Sequence, residues 1–449
     1  MIQPERVTRL NDAEPRAGRF VLYWMQQSQR AACNHALEHA VREADRLRLP
    51  VLAAFALTAR FPEAQERHYA FMLEGLRETR NALLRRGIDL AVTAGAPPRA
   101  VPALARDAAL LVTDVGYLRV QREWRAAVAA RVRCPAVAVE SDAVVPVGLA
   151  SEHEEYAART IRPKIHAHLD RFLVPLQESR PVRDSAGMAP RGGVDVADTE
   201  GVLARLRVAR RARRVTSMRG GASAARARLR AFVAKGLPRY AEAHGDPGAD
   251  ALSHLSPYLH FGQISPLEVA LAARRAAAPA ESREAFLEEL IVRRELGMNF
   301  CAFNAAYDAY GGLPEWARRT LAKHARDRRP HRYSAADLER ARTHDPLRNA
   351  AQHEMVATGF MHSYMRMYWG KKIIQWTEDP VDAFHLALRL NNAYQMDGRD
   401  PNSFAGVAWC FGKHDRPWGE RPVFGMVRWM SAEGLERKFD MEAYVRRVA

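Results

Sequence analysis

The chain has 449 residues, a formal charge of +16 from 68 Lys+Arg against 52 Asp+Glu, and four cysteines. That length supports two or three domains with a sizeable core, and Cys33, Cys134, Cys301 and Cys410 lie far apart without a C-x-x-C, which argues against a zinc ribbon or disulfide framework and for a reducing compartment, the cytoplasm. The cationic excess favours a polyanionic partner, nucleic acid first, through phosphate neutralisation, although a coding bias towards Ala and Arg gives the same total without one.

No long apolar run appears, and "MIQPERVTRLNDAEPR" lacks the apolar core of a signal peptide. From Arg19 to about Ser141, "RFVLYWM", "PVLAAFAL", "IDLAVT", "ALLVTDV" and "PAVAVES" read as strands buried on both faces. Between them "NHALEHAVREADRLR" and "HYAFMLEGLRETRNALLRRG" carry helical periodicity, with Gly87 as a C-cap. The fold class is therefore a Rossmann-like parallel α/β domain over residues 1–177, without the G-x-G-x-x-G of a standard dinucleotide grip after the first strand. An Arg- and Gly-rich stretch at 178–221 reads as a surface linker with solvated charge. Beyond it the strand signal nearly vanishes, and residues 222–449 form an all-α domain whose helices start repeatedly at Ser-Pro or Asp-Pro.

Two motif matches are set aside. "HALEH" (35–39) has the inverted-zincin spacing but no third ligand is signalled, so a partly exposed helix face explains it better. "GVAWCFGKH" (406–414) has five residues between its glycines instead of four, and His414 where a phosphate loop needs Ser or Thr. No metal is implied.

The helical half combines three features suited to a buried redox cofactor. Ser253 and Ser256 precede Pro257, where hydroxyls and free N–H groups at a helix start can hold a pyrophosphate. Arg366 and Asp397 can form a buried pair, which is costly unless hydrogen-bonded. In "HSYMRMYWGKKIIQW" Met365, Trp369, Ile373 and Trp376 share one helix face with Arg366 at its margin, and Trp369 and Trp376 could relay an electron; core packing accounts for the same spacing.

Six stretches in order resemble the signature blocks of class II cyclobutane-pyrimidine-dimer DNA photolyases, of the photolyase/cryptochrome family: "EYAARTIRPKI", "LSPYLHFGQIS", "FLEELIVRREL", "GFMHSYMRMYWGKKIIQW", "LNNAYQMDGRDPNSFAGVAW" and "HDRPWGERPVFG". The resemblance implies FAD in the helical domain, reduced in the active state, and an α/β domain able to house an antenna chromophore such as a deazaflavin. It implies light-driven repair of UV-damaged DNA by electron transfer to a flipped-out dimer. Residue by residue, it gives Tyr240, Ser253, Leu255 and Ser256 to the FAD phosphates and Arg294 to the cofactor. Arg366 and Asp397 become a salt bridge beside the flavin, Asn391 its N5 neighbour, and Asp400 a support of the same region. Glu289, Met367 and Trp409 line the lesion pocket, Arg416, Arg421 and Arg428 face DNA, and Trp369 and Trp376 carry electrons. One position departs from the pattern: Arg348 stands where the family usually has Trp, which implies slow or rerouted photoreduction with repair intact once the flavin is reduced. Arg293 stands where relatives can have an aromatic, and its role is open. A cryptochrome-like light sensor is the alternative, disfavoured by the lesion-pocket residues, the basic charge and the lack of a long extension beyond Ala449. Repair of (6-4) photoproducts would want a histidine acid that these blocks do not offer. No membrane or obligate protein partner is implied.

Overall fold

The computed structural model describes residues 2–448. Five strands lie where the apolar runs predict them: β2 (Phe20–Trp24), β3 (Val51–Leu57), β4 (Asp89–Ala94), β5 (Ala108–Asp114) and β6 (Ala136–Val139). They pair in parallel, and β2, β3 and β5 are buried at every position because helices cover both faces. A sixth strand, β1 (Val7–Arg9), adds antiparallel to β6 and completes the order β1-β6-β5-β2-β3-β4. The sheet is thus mixed at one edge, which a three-residue, largely exposed strand gives no periodic signal to predict.

Helices α1 (His35–Leu47) and α2 (Glu66–Arg85) begin where expected, and Gly87 follows α2 with φ +79°. The "HALEH" face is more buried than its composition implied. His35 and Glu38 are enclosed, and Glu38 pairs with Arg86 at 2.5 Å. The 178–221 stretch is pinned rather than draped. Ser185 donates to the Val51 carbonyl at 2.6 Å, the Val194 N–H donates to the Val92 carbonyl at 2.7 Å, and Thr199–Arg205 forms a short helix that buries Val202.

The rest of the chain is helical, and five helices position the site: α3 (Arg294–Phe303), α4 (Pro346–Thr358), α5 (Ser363–Trp376), α6 (Pro380–Tyr394) and α7 (Pro401–Cys410). Asp345, Asp379 and Asp400 cap α4, α6 and α7 through their side chains with Pro in the first turn, the arrangement their Asp-Pro spelling predicts. Gly359 ends α4 in the left-handed region at φ +70°. No helix among the described residues is long and apolar enough to cross a membrane.

The two halves meet across a polar, fully buried seam. Arg30 pairs with Asp142 at 2.6 Å and also donates to the Gly262 carbonyl at 3.1 Å. Gly262 has φ +63°, and an added Cβ would lie 2.1 Å from the Gln27 carbonyl oxygen, so only glycine permits this approach. Glu295 on α3 accepts from the Val144 and Val145 N–H groups at 2.6 and 3.2 Å, and its complete burial pushes its pKa up to about 8. A carboxyl raised from about 4.5 to about 8 on folding keeps its proton in the native state while the unfolded chain has lost it. Its contribution is full below the unfolded value and declines as pH rises through that window, by at most about 1.4 kcal/mol per pH unit. Urea denaturation of Glu295→Gln should show that decline flattened between pH 5 and pH 8, whereas an unchanged slope would assign it to other groups.

Candidate functional site

The chain segment entering α3 is a π-helical turn over Glu288–Arg293, a local register shift often found at functional sites. It sets Arg293 beside two carboxylates, 3.4 Å from Glu288 and 3.9 Å from Glu289. The Arg293 guanidinium also lies 5.5 Å from the Trp409 ring centroid, over its face. Arg293, whose role the sequence left open, therefore joins Glu289 to Trp409. Glu289 keeps 48% of its side chain accessible. Desolvation by the surrounding side chains raises its pKa, against the pull of Arg293. The Met367 sulfur is 3.8 Å from Cys410 Sγ, on the residue that follows Trp409 on α7.

Met367 lies one residue after Arg366 on α5. Arg366 Nη2 donates to Gln395 Oε1 at 2.8 Å, and Gln395 Nε2 donates to Asn391 Oδ1 at 3.0 Å. Asp397 is 3.9 Å from Arg366, so the predicted pair is present but loose, and Gln395 is the closer partner that sequence reasoning missed. Arg366 Nε is buried without an acceptor, and Gly406 faces the guanidinium at a position where a Cβ would come within 3.5 Å of Nη1. An orphaned donor, two amides and a loosely held cation suit a planar heterocycle rich in carbonyl and imine acceptors.

Helix α5 itself is enclosed nearly all round. Met365, Trp369, Ile373 and Trp376 are buried as their shared face predicts, but so are Tyr368, Lys371 and Lys372. The Trp369 indole N–H donates to Gln352 Oε1 at 2.8 Å. Trp376 packs edge-on to Tyr333 at 5.2 Å, with the Lys372 ammonium 5.5 Å from its ring. Arg348 is fully buried, and burial lowers its pKa to about 9 against the opposing pull of Asp345.

The other predicted cofactor residues divide into two groups. Ser253, Leu255 and Ser256 form a turn that abuts the start of α5, where the His254 ring lies 4.6 Å from Phe360. Ser253 Oγ accepts weakly from the Leu255 N–H at 3.4 Å, and Ser256 opens a helix of only five residues. Tyr240 stacks on His244 at 4.8 Å, and burial followed by the nearby Glu289 raises its pKa. His362, the cap of α5, approaches the His244 carbonyl at 3.1 Å and ties this group to the same helix end. Arg294 and Asp400 sit elsewhere, at the seam with the α/β half. Arg294 donates to the Asp142 carbonyl. Asp400 meets His260 at 3.2 Å; burial works to raise its carboxyl, and the His260 hydrogen bond leaves it below the ordinary range.

The segment after α7 exposes two indoles carrying guanidinium groups. Arg416 and Arg428 lie over Trp418 at 5.3 and 5.1 Å, and Arg421 over Trp429 at 4.1 Å. Trp418 and Trp429 are 40% and 39% exposed, large for tryptophan, and were not singled out in the sequence because an irregular loop gives no periodicity. At the opposite end, a crevice of about 90 Å³ opens where the chain leaves β2, lined by Trp24, Phe55, Tyr69, Trp124, His68 and Arg399. It lies at the carboxyl ends of β2 and β3, the side of the sheet where ligands bind in such folds.

A DNA photolyase family model matches residues 21–182. The fold is similar to that of a bacterial class III photolyase from Agrobacterium tumefaciens, at TM-score 0.76 and 18% identity over 97% of this chain and 87% of that one. It is also similar to an archaeal photolyase from Sulfolobus tokodaii described with two FAD molecules, at TM-score 0.72 and 17% identity over 95% and 89%. In sequence, the deoxyribodipyrimidine photo-lyase of Methanothermobacter thermautotrophicus is 49% identical over 100% of this chain and 99% of its own length. The chain belongs to the deoxyribodipyrimidine photo-lyase family.

Proposed function

We propose that this chain is a light-driven DNA repair enzyme of the class II type that splits cyclobutane pyrimidine dimers in UV-damaged DNA, with FAD bound in the helical domain. The observation that carries the reading is on α5, where Arg366, tied through Gln395 to Asn391 with its Nε unmet, precedes Met367, whose sulfur meets Cys410 next to Trp409, the ring that Arg293 covers beside Glu289. Arg366, Asp397 and Asn391 hold the flavin ring, and Ser253, Leu255, Ser256 and Tyr240 hold its phosphate end. Arg294 and Asp400 support the site from the domain seam. The bound, fully reduced cofactor supplies a light-driven electron to the dimer and takes it back, so that no net oxidation occurs.

The protein's own part is recognition and exclusion of water. Glu289, with its raised pKa, hydrogen-bonds the imide edge of the extruded bases. Trp409 forms an aromatic wall whose orientation Arg293 fixes from the other side of the ring, and Met367 packs against the bases. A dimer already stacks and pairs poorly, so its extrusion costs less than that of intact thymines, which is the source of selectivity. Arg416, Arg421 and Arg428 hold phosphates around the opened duplex, with Trp418 and Trp429 giving stacking surface. The crevice beyond β2 takes a flat antenna chromophore, of deazaflavin type, in a domain spanning residues 1–177, with 178–221 as linker and 222–449 as the catalytic domain.

Binding in darkness tests this directly. The protein should hold a dimer-containing oligonucleotide more tightly than its undamaged twin, and equal affinities would count against Glu289, Met367 and Trp409 as a lesion pocket. In the same assay Arg421→Ala should reduce the slope of log affinity against log salt by about one, the share of one phosphate contact, for both oligonucleotides.

A further inference from the structure

Helix α4 carries a cation into the core beside the tryptophan of α5. The Arg348 guanidinium donates to the Leu338 carbonyl, its Nη2 lies 3.4 Å from Gln352 Oε1, and its Nε has no partner. The same Gln352 oxygen accepts the Trp369 indole N–H at 2.8 Å. Two donors converging on one oxygen fix the orientation of the amide. Gln352 Nε2 is therefore a donor, on a fully buried side chain, with no acceptor in the protein.

Gln352 also belongs to the wall of an open basin of about 550 Å³. Its rim carries Arg211, Arg340 and Arg342, and its carboxylate is Glu339, which pairs with Arg211 and accepts from the Tyr394 hydroxyl at 2.5 Å. Three guanidinium groups against one carboxylate make the basin positive. A cationic basin is a site for a small anion, and here only the buried Gln352 stands between it and an oxidisable indole.

We propose that this basin docks a small anionic one-electron donor, an enediolate of the ascorbate class, which refills Trp369 after it has given an electron to the photoexcited flavin. The inference rests on the flavin reading above. Trp369 loses one electron and becomes an indole radical cation; the enediolate monoanion returns one electron to it and releases one proton to solvent, ending as its own radical anion. No bond to the indole forms or breaks. Gln352 lies between the docked anion and Trp369 and keeps the indole N–H on its Oε1, so donor and acceptor are separated by one buried side chain.

Flash photolysis of the flavin-loaded protein tests this by following tryptophanyl radical decay against ascorbate concentration. The wild-type rate should saturate, and R340E/R342E should lower it at least about ten-fold through lost electrostatic attraction while leaving decay with neutral dithiothreitol unchanged. Equal ascorbate rates in the two proteins overturn the proposal. Calorimetric titration of ascorbate into the same holoprotein kept dark reads docking alone: heat in the wild type that the double variant loses supports the site, and no heat in the wild type overturns it. Failure to form any tryptophanyl radical under blue light would instead fault the flavin reading, and the dark titration would still decide whether the basin binds the anion.

Discussion

Arg366→Leu is expected to purify colourless and to take up added FAD at least about 100-fold more weakly than the wild type, while its thermal midpoint falls only modestly. The reason lies in what the guanidinium holds. It donates to Gln395 at 2.8 Å and faces Asp397 at 3.9 Å, and its Nε is reserved for a partner the protein does not provide. Leucine would leave the Gln395 oxygen and the Asp397 carboxylate facing the site without their cation. Losing the hydrogen bonds of a charged donor to the cofactor costs about 1.5–3 kcal/mol, the upper end of which corresponds to that affinity ratio. Fluorescence titration with FAD measures it. Retained colour at wild-type affinity would move the cofactor away from α5.

The second large effect falls on substrate recognition. Trp409→Ala should weaken binding of dimer-containing DNA by about 10- to 100-fold, the value of about 1–3 kcal/mol for a base stacked on an aromatic side chain. Binding of undamaged DNA should be unchanged, because the phosphate contacts proposed above lie on the separate 416–428 segment. Arg293→Ala should reproduce part of the loss, since Arg293 supports the ring from 5.5 Å and bridges to Glu289. Gel-shift competition between the two oligonucleotides reads both variants. A uniform loss on damaged and undamaged DNA would make Trp409 a general structural residue.

What the sequence made legible, and what it did not, follows from the kind of signal each feature leaves. The five parallel strands are readable because burial on both faces writes a continuous apolar run, whereas β1 is too short to write any pattern. The buried face of α5 follows from its periodicity, but the burial of Lys371 and Lys372 does not, because a lysine normally signals solvent. The polar bridges of the site were the least visible. Gln352 and Gln395 each hold a candidate site side chain, Trp369 and Arg366, through one amide, and an isolated glutamine carries no spacing that would mark it. Arg293 looked like an anomaly within its block, yet the π-helical turn places it between Glu289 and Trp409. Arg294, its neighbour, turns to the domain seam, since adjacent residues on a helix point about 100° apart.

The central claim is that the helical domain brings a light-absorbing electron donor and an extruded dimer into one site. Its most direct test is to mix the flavin-reduced protein with an oligonucleotide containing a single thymine dimer and follow recovery of thymine absorbance under blue light and in darkness. The account predicts recovery in the light alone, abolished in Arg366→Leu. Recovery at the same rate in darkness, or none in light with reduced FAD bound, would contradict it.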